Sequence, residues 1–228
     1  TFDGAFFYLS SYDDGTIIGG GFTYLNFIPA ESATGVHLSL TKDGEVAGVA
    51  LYPVPSGLSS VEAAAGLDVR EVGYGQRGRS VGYGFLIENP DAAQAMEGSQ
   101  YRVTAYDREG RVLTTDQGYV TWMLPGQILG VGGTLSVGEG QEVTRLDAQA
   151  LPGDRVAPDR PLAFEAESVA YQEDDYTAVV TGRIANPYDE RVSDLRVFAL
   201  AYDRRGAVIG GGDTYLDAIR AMGRSDVE

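Results

Sequence analysis

The chain contains no cysteine, which excludes disulfides, thiol catalysis and thiolate metal ligation together. Histidine is nearly missing as well. His37 stands alone, so neither a typical zinc site nor a nucleophile–histidine pair can be assembled. Lys42 is the only lysine, and 17 basic residues face 33 acidic ones, for a net charge of −16. A phosphate-binding surface needs clustered Lys and Arg, so the charge argues against nucleic-acid binding and equally disfavours docking on anionic lipid. No stretch approaches the roughly 18 apolar residues of a membrane-spanning helix, so direct membrane insertion is not expected. The chain does not open on a basic region followed by an apolar run, so the expectation is that any signal peptide has been removed.

Glycine, by contrast, is abundant at 31 residues, alongside nine prolines, 14 tyrosines and 43% hydrophobic residues. That composition supports packed cores and many turns, and it predicts an all-β chain.

One phrase occurs three times. It reads Tyr12-Asp13-Asp14-Gly15, Tyr106-Asp107-Arg108-Glu109-Gly110 and Tyr202-Asp203-Arg204-Arg205-Gly206, with the leading tyrosines 94 and 96 residues apart. A second tyrosine comes after each copy, at Tyr24, Tyr119 and Tyr215. The first and third copies share the tail Ile-Gly-Gly-Gly, at 18–21 and 209–212. Asp opens such reversals through its side-chain oxygen and Gly supplies the left-handed position, so each phrase is a turn between two strands. A period of this length is a small domain and not a solenoid unit. The expected organisation is a partial unit at 1–57 holding late strands only, a fuller unit at 58–150, a Pro-containing linker at 151–161, and a C-terminally incomplete unit at 162–228.

Alternation fills in the strands. Val81, Tyr83, Phe85 and Ile87 share one face, with Ser80, Gly82, Gly84 and Glu88 on the other. Asn89-Pro90 ends that strand, as Asn186-Pro187 ends a strand over 176–184 with Tyr176, Ala178, Val180 and Ile184 on one face. Val36, Leu38 and Leu40 alternate as a strand that turns His37 outward, and Asp43-Gly44 predicts a hairpin into 46–52. Short helical turns are expected at 91–98, capped by Asp91, and at 59–66, where Ser59 and Glu62 have capping-box spacing. Residues 216–222 could be helical on their own pattern, but register with the other copies places a connection between strands there.

The signature Phe198-Ala199-Leu200-Ala201-Tyr202-Asp203, preceded by Asn186-Pro187, resembles the FxLYD family of Ig-like modules of bacteria and archaea. The resemblance covers 162–228 best, 68–138 less well, and 6–52 only through the Tyr12-Asp13 turn and the residues C-terminal to it. One residue is inserted between Leu200 and Tyr202, and Tyr101 and Val103 replace the phenylalanine and leucine in the second copy. The resemblance implies a tandem array of immunoglobulin-like β-sandwiches of about seven strands, in secreted or envelope-anchored proteins, with no catalytic residues to carry over.

Candidate chemistry is sparse. Asp13-Asp14, Glu173-Asp174-Asp175 and Asp189-Glu190 read as hydrated hairpin tips; a Ca²⁺ site or an acid/base pair would require their oxygens to converge. The Gly-Gly-Gly segments lack the Lys-Ser/Thr of a phosphate loop and read as bulged or flexible strand ends. Trp122, Met123 and Leu124, before Pro125-Gly126, form the one candidate interaction surface, set against the commoner role of a lone Trp in a sandwich core. No catalytic residue, cofactor or metal ligand is expected. The leading expectation is a non-enzymatic structural or assembly protein of the cell surface. Its partners would be itself or other envelope proteins, and its incomplete terminal units would complement each other's strands head to tail. The alternatives are a module that recognises glycan, peptide or protein, and an accessory domain of a larger secreted protein.

Overall fold

The structure, a computed structural model, describes residues 2–13, 15–29, 31–55, 67–159, 163–173 and 178–228; the side chains of 2–13 and of Pro55 lie outside the description. The protein is all-β, with no helix among the described residues. Strands β1 (Phe2–Asp13), β2 (Thr16–Ile28), β3 (Thr41–Lys42) and β4 (Gly48–Pro55) form one sheet in the order β3-β2-β1-β4. Next come β5 (Asp68–Arg77), β6 (Ser80–Glu88), β7 (Ala95–Tyr106), β8 (Val112–Met123), β9 (Ile128–Ser136), β10 (Arg145–Leu151) and β11 (Asp154–Val156). These make two sheets, β5-β6-β9 and a second in which β7 is flanked by β8, β10 and β11. The remaining strands are β12 (Glu165–Glu173), β13 (Ala178–Ala185), β14 (Val192–Tyr202), β15 (Val208–Ile219) and β16 (Arg224–Val227). They form the sheet β12-β13-β16 and the hairpin β14-β15.

The main core lies between the two central sheets. Val81, Tyr83, Phe85 and Ile87 of β6 are buried there, as their alternation predicts, against Tyr101, Val103 and Ala105 of β7. Each buried tyrosine sits across from a glycine of the neighbouring strand, Tyr83 from Gly133 and Tyr101 from Gly118. A β-carbon at Gly118 would fall 2.5 Å from the Tyr101 hydroxyl oxygen, so the ring occupies the space a side chain would have filled. The Tyr83 hydroxyl donates to Asp116 Oδ2 at 2.6 Å. Burial, with the Asp116 carboxylate beside it, raises the Tyr83 hydroxyl far above the ordinary phenol range, so it stays protonated and remains a donor.

The turn phrase builds the same device in its two fully described copies. Asp107 Oδ1 accepts the backbone N–H of Glu109 and Arg111, and Asp203 Oδ1 accepts those of Arg205 and Ala207. All three hairpins carry a bulge at the tyrosine before the turn, at Tyr12, Tyr106 and Tyr202. The Asn-Pro strand ends are likewise matched. Asn89 Nδ2 donates to the carbonyls of Gln94 and Leu124, and Asn186 Nδ2 to those of Glu190 and Arg220.

Several expectations are corrected. Residues 91–94 form a turn in which Asp91 Oδ1 accepts the N–H of Ala93 and Gln94, and β7 begins at Ala95 before a helix can start. Asp43-Gly44 does not make a hairpin, because β3 pairs with β2 while β4 pairs with β1, on opposite edges of the sheet. Val36 and Leu38 do pack on Leu25 and His37 is exposed, but 32–40 joins no ladder. Within 151–161, Asp154–Val156 forms a strand against β7. Residues 216–219 continue β15, and the chain turns at 220–222. The helix at 59–66 falls outside the described residues, as do Asp14, Asp174, Asp175, Tyr176 and Thr177.

Among the described residues, three carboxyls are held below their ordinary range. Burial opposes this at Asp107, but the backbone N–H groups it accepts and Arg111 outweigh it. At Asp91 the N–H groups of Ala93 and Gln94 are the cause, and at Glu167 the bidentate Arg224 is. A carboxyl lowered on folding stabilises the fold above its unfolded value, and that contribution disappears as pH falls through the folded value. Unfolding in urea should therefore become easier below about pH 4, with little change between about pH 6 and 8. A midpoint that stays constant down to about pH 3 would contradict this assignment.

Candidate functional site

One sequence pattern recurs in the central sheet: glycine at every second position of a strand. It occurs at Gly73 and Gly75 in β5, Gly82 and Gly84 in β6, and Gly130 and Gly132 in β9. Alternation puts Tyr74, Tyr83 and Val131 on the core side of this sheet and the glycines on the outer side. The register aligns them, since Gly73 pairs with Gly84 and Gly84 with Gly132. The result is a flat central patch without side chains, bordered on the same face by Leu86 and Thr134.

Hairpin β14-β15 is seated on that face. A β-carbon at Gly132 would fall 2.6 Å from the Ala199 carbonyl oxygen and 2.7 and 2.8 Å from the oxygen and nitrogen of Gly212. At Gly130 it would fall 2.8 Å from Leu200 Cδ1, and at Gly84 it would meet Leu200 Cδ2 at 2.5 Å. Ordinary stacked sheets lie about 10 Å apart because side chains separate them; here backbone meets backbone. Leu200 enters the space between Gly84 and Gly130, and Phe198 reaches the central core.

The opposite outer face of the central sandwich is covered in a similar way. Gln149, Arg102 and Gln117 form one row across β10, β7 and β8. Arg102 Nη2 donates to the Gly35 carbonyl at 2.8 Å, and Gln149 Nε2 donates to the Ala33 carbonyl at 3.0 Å. Arg102 Nη1 donates to Gln117 Oε1. Burial lowers the Arg102 guanidinium to about 10, which leaves it charged at neutral pH. Gly35 is buried against Thr104 and Val112.

The first sheet presents an exposed row of large apolar side chains. Phe22 and Tyr52 flank backbone position 8 of β1 in one row, and Tyr24 and Val54 flank position 6 in the next. These four are exposed, Phe22 by 69% and Val54 by 44%. The Gly-Gly-Gly segments are not strand ends: both lie inside strands, β2 and β15, where chain passes close to the backbone.

The residues singled out for binding are placed differently from one another. Met123 is wholly buried in the central core, Trp122 is half-buried with its indole nitrogen enclosed, and the Leu124 carbonyl accepts from Asn89. The structure brings Met123 to the core and not to a shared exposed platform with Trp122 and Leu124. Glu173 bonds to Arg77 and to the Tyr171 hydroxyl, and no group of three or more acidic or histidine side chains able to hold a metal occurs among the described residues. Comparison with family models, with curated proteins and with solved structures finds no match to this chain.

Proposed function

We propose that this chain is a non-enzymatic structural module of the cell surface, built of tandem immunoglobulin-like units of the kind the FxLYD resemblance implies, and that it assembles head to tail. The observation that carries this reading is the seating of one sheet on the glycine face of another. Six glycines on one face, five of them paired with one another across strands, give up side-chain burial and β-propensity together, a cost that makes sense where the face itself is the contact. The units are supported by the matched features at 97-residue offset: positive φ at Glu71 and Ser168, and the bulges beside them.

Light scattering on a sizing column, over a wide concentration range, tests the assembly. Growing, polydisperse mass is the expected result; a constant monomer mass rejects it. Because each copy carries −16, the copies repel one another at low salt. Raising NaCl from about 0.05 to about 0.5 M should therefore increase the mass, whereas assembly held by ion pairs would dissolve.

A further inference from the structure

The second tyrosine that follows each turn phrase is buried in none of the three copies. Two of them, Tyr119 on β8 and Tyr215 on β15, are more than half exposed and line one surface hollow of about 460 Å³. That volume lies within the range of roughly 300–1,000 Å³ typical of small-ligand sites. Separate parts of the chain meet there: Asn26 comes from β2, Thr121 stands two residues beyond Tyr119, and Asp194 and Arg196 come from β14. Asn26 is only 6% exposed, and its side-chain amide bonds to no described residue, so what it presents it presents to the hollow. A nearly buried amide without a partner calls for one. Asp194 is unusual in another way. Eight residues before the turn tyrosine, the other two copies hold Gly4 and Gly98. Strand pairing is interrupted at both Gly98 and Asp194, and both have positive φ, at 71° and 56°. Glycine takes that conformation without strain, whereas a side chain there carries a cost. The C-terminal copy accepts that cost and places a carboxylate on the wall of the hollow.

We propose that this hollow binds a neutral oligosaccharide, a function independent of the assembly and additional to it. Exposed tyrosine rings present flat, electron-rich faces, against which the C–H face of a pyranose ring packs. Around them stand the donors and acceptors that neighbouring sugar hydroxyls need. The Asn26 amide offers both, Thr121 a hydroxyl and Asp194 an acceptor. Gln117 Oε1 already accepts from Arg102, which leaves its Nε2 to donate. Charge narrows the class. Arg196 is neutralised by Asp213, with Nε 2.9 Å from Oδ2, and its guanidinium lies 5.5 Å from the centroid of the Tyr215 ring. It therefore braces that ring and is not held in reserve for an anion. Asp194 adds a negative charge in a chain that already carries −16, so an acidic glycan is repelled. A peptide segment anchors through apolar side chains in matching pockets, and no aliphatic residue among those described lines the hollow.

The test titrates the full chain with short neutral oligosaccharides of glucose, mannose, galactose and N-acetylglucosamine, read by saturation-transfer NMR and calorimetry. A sialylated oligosaccharide and a short proline-rich peptide represent the other classes. At least one neutral probe should bind. Tyr119→Ala and Tyr215→Ala should each weaken it by about tenfold or more, and both side chains are exposed enough to be removed with the fold intact. Asp194→Gly separates binding from folding, because glycine is what the central copy holds at that position. Its melting temperature should equal or exceed that of the wild type, while affinity falls by about tenfold. Binding that all three variants leave unchanged would overturn the site. A wild-type chain that binds no neutral probe at up to about 10 mM would overturn the carbohydrate assignment. Tighter binding of the sialylated probe, or peptide binding that the variants abolish, would overturn it in favour of an acidic glycan or a peptide.

Discussion

Gly132→Leu should release hairpin β14-β15 from the central sandwich while leaving that sandwich folded. A side chain at 132 projects away from Val131 and the core, directly into the backbone of Ala199 and Gly212. The three atoms it would meet belong to main chain, which cannot rotate aside, so the layers must part. Overpacking of this kind costs about 1–3 kcal/mol when neighbours can shift, and more when they cannot. With so flat a contact, we expect the larger figure and loss of docking. Hydrogen exchange should show protection falling across 192–219, while amides of β6 and β7 keep theirs. Gly212→Ala is the control, because a β-carbon there meets nothing within 4 Å. If Gly132→Leu leaves exchange in β15 unchanged, the close seating of the hairpin on the glycine face is wrong.

Asn89→Ala should be the most destabilising single change outside the hydrophobic core. Asn89 is wholly buried; its Nδ2 donates to two carbonyls, its Oδ1 accepts the Asp91 N–H, and its own N–H reaches the Gln127 carbonyl. Alanine leaves the Gln94 carbonyl and the Asp91 N–H without this partner in a part-buried site, and leaves the Leu124 carbonyl with the Gln127 N–H alone. At about 1–3 kcal/mol for each buried unsatisfied group, partly relieved by relaxation, the expected loss is about 3 kcal/mol in urea unfolding. Asn89→Asp should fare no better, since a carboxylate would face two carbonyl oxygens with nothing to donate. Asn186→Ala removes the same device from the C-terminal part, and its effect should be confined to 163–228. An Asn89→Asp variant as stable as wild type would mean that the side chain is not the donor.

The turn phrases and the Asn-Pro ends are legible in the sequence because their chemistry is local. An Asp side chain bonding to backbone two and four residues on needs no distant partner. The core face of β6 is legible for the same reason, since period-two alternation assigns a face without naming what covers it. The turn signal at 43–44 misleads because it says that the chain reverses and not which strands it joins. Residues 91–94 mislead because Asp91 caps a single turn as readily as a helix, and β7 captures the chain at Ala95. The glycine face does leave a trace, in Gly-Tyr-Gly, Gly-Tyr-Gly and Gly-Val-Gly. Reading that trace as a contact surface requires knowing that β5, β6 and β9 lie side by side.

The amino-acid sequence alone therefore determined an all-β chain with acidic character, its three matched turns, and the absence of thiol or histidine-pair chemistry. These stem from composition and from interactions spanning a few residues. Tertiary structure alone decided that six glycines share one face, that Leu200 seats between two of them, and that Phe22 and Tyr52 stand in one row on either side of β1. Backbone pairing sets which residues become neighbours across strands, and a face built from three distant segments does not exist until that pairing is made.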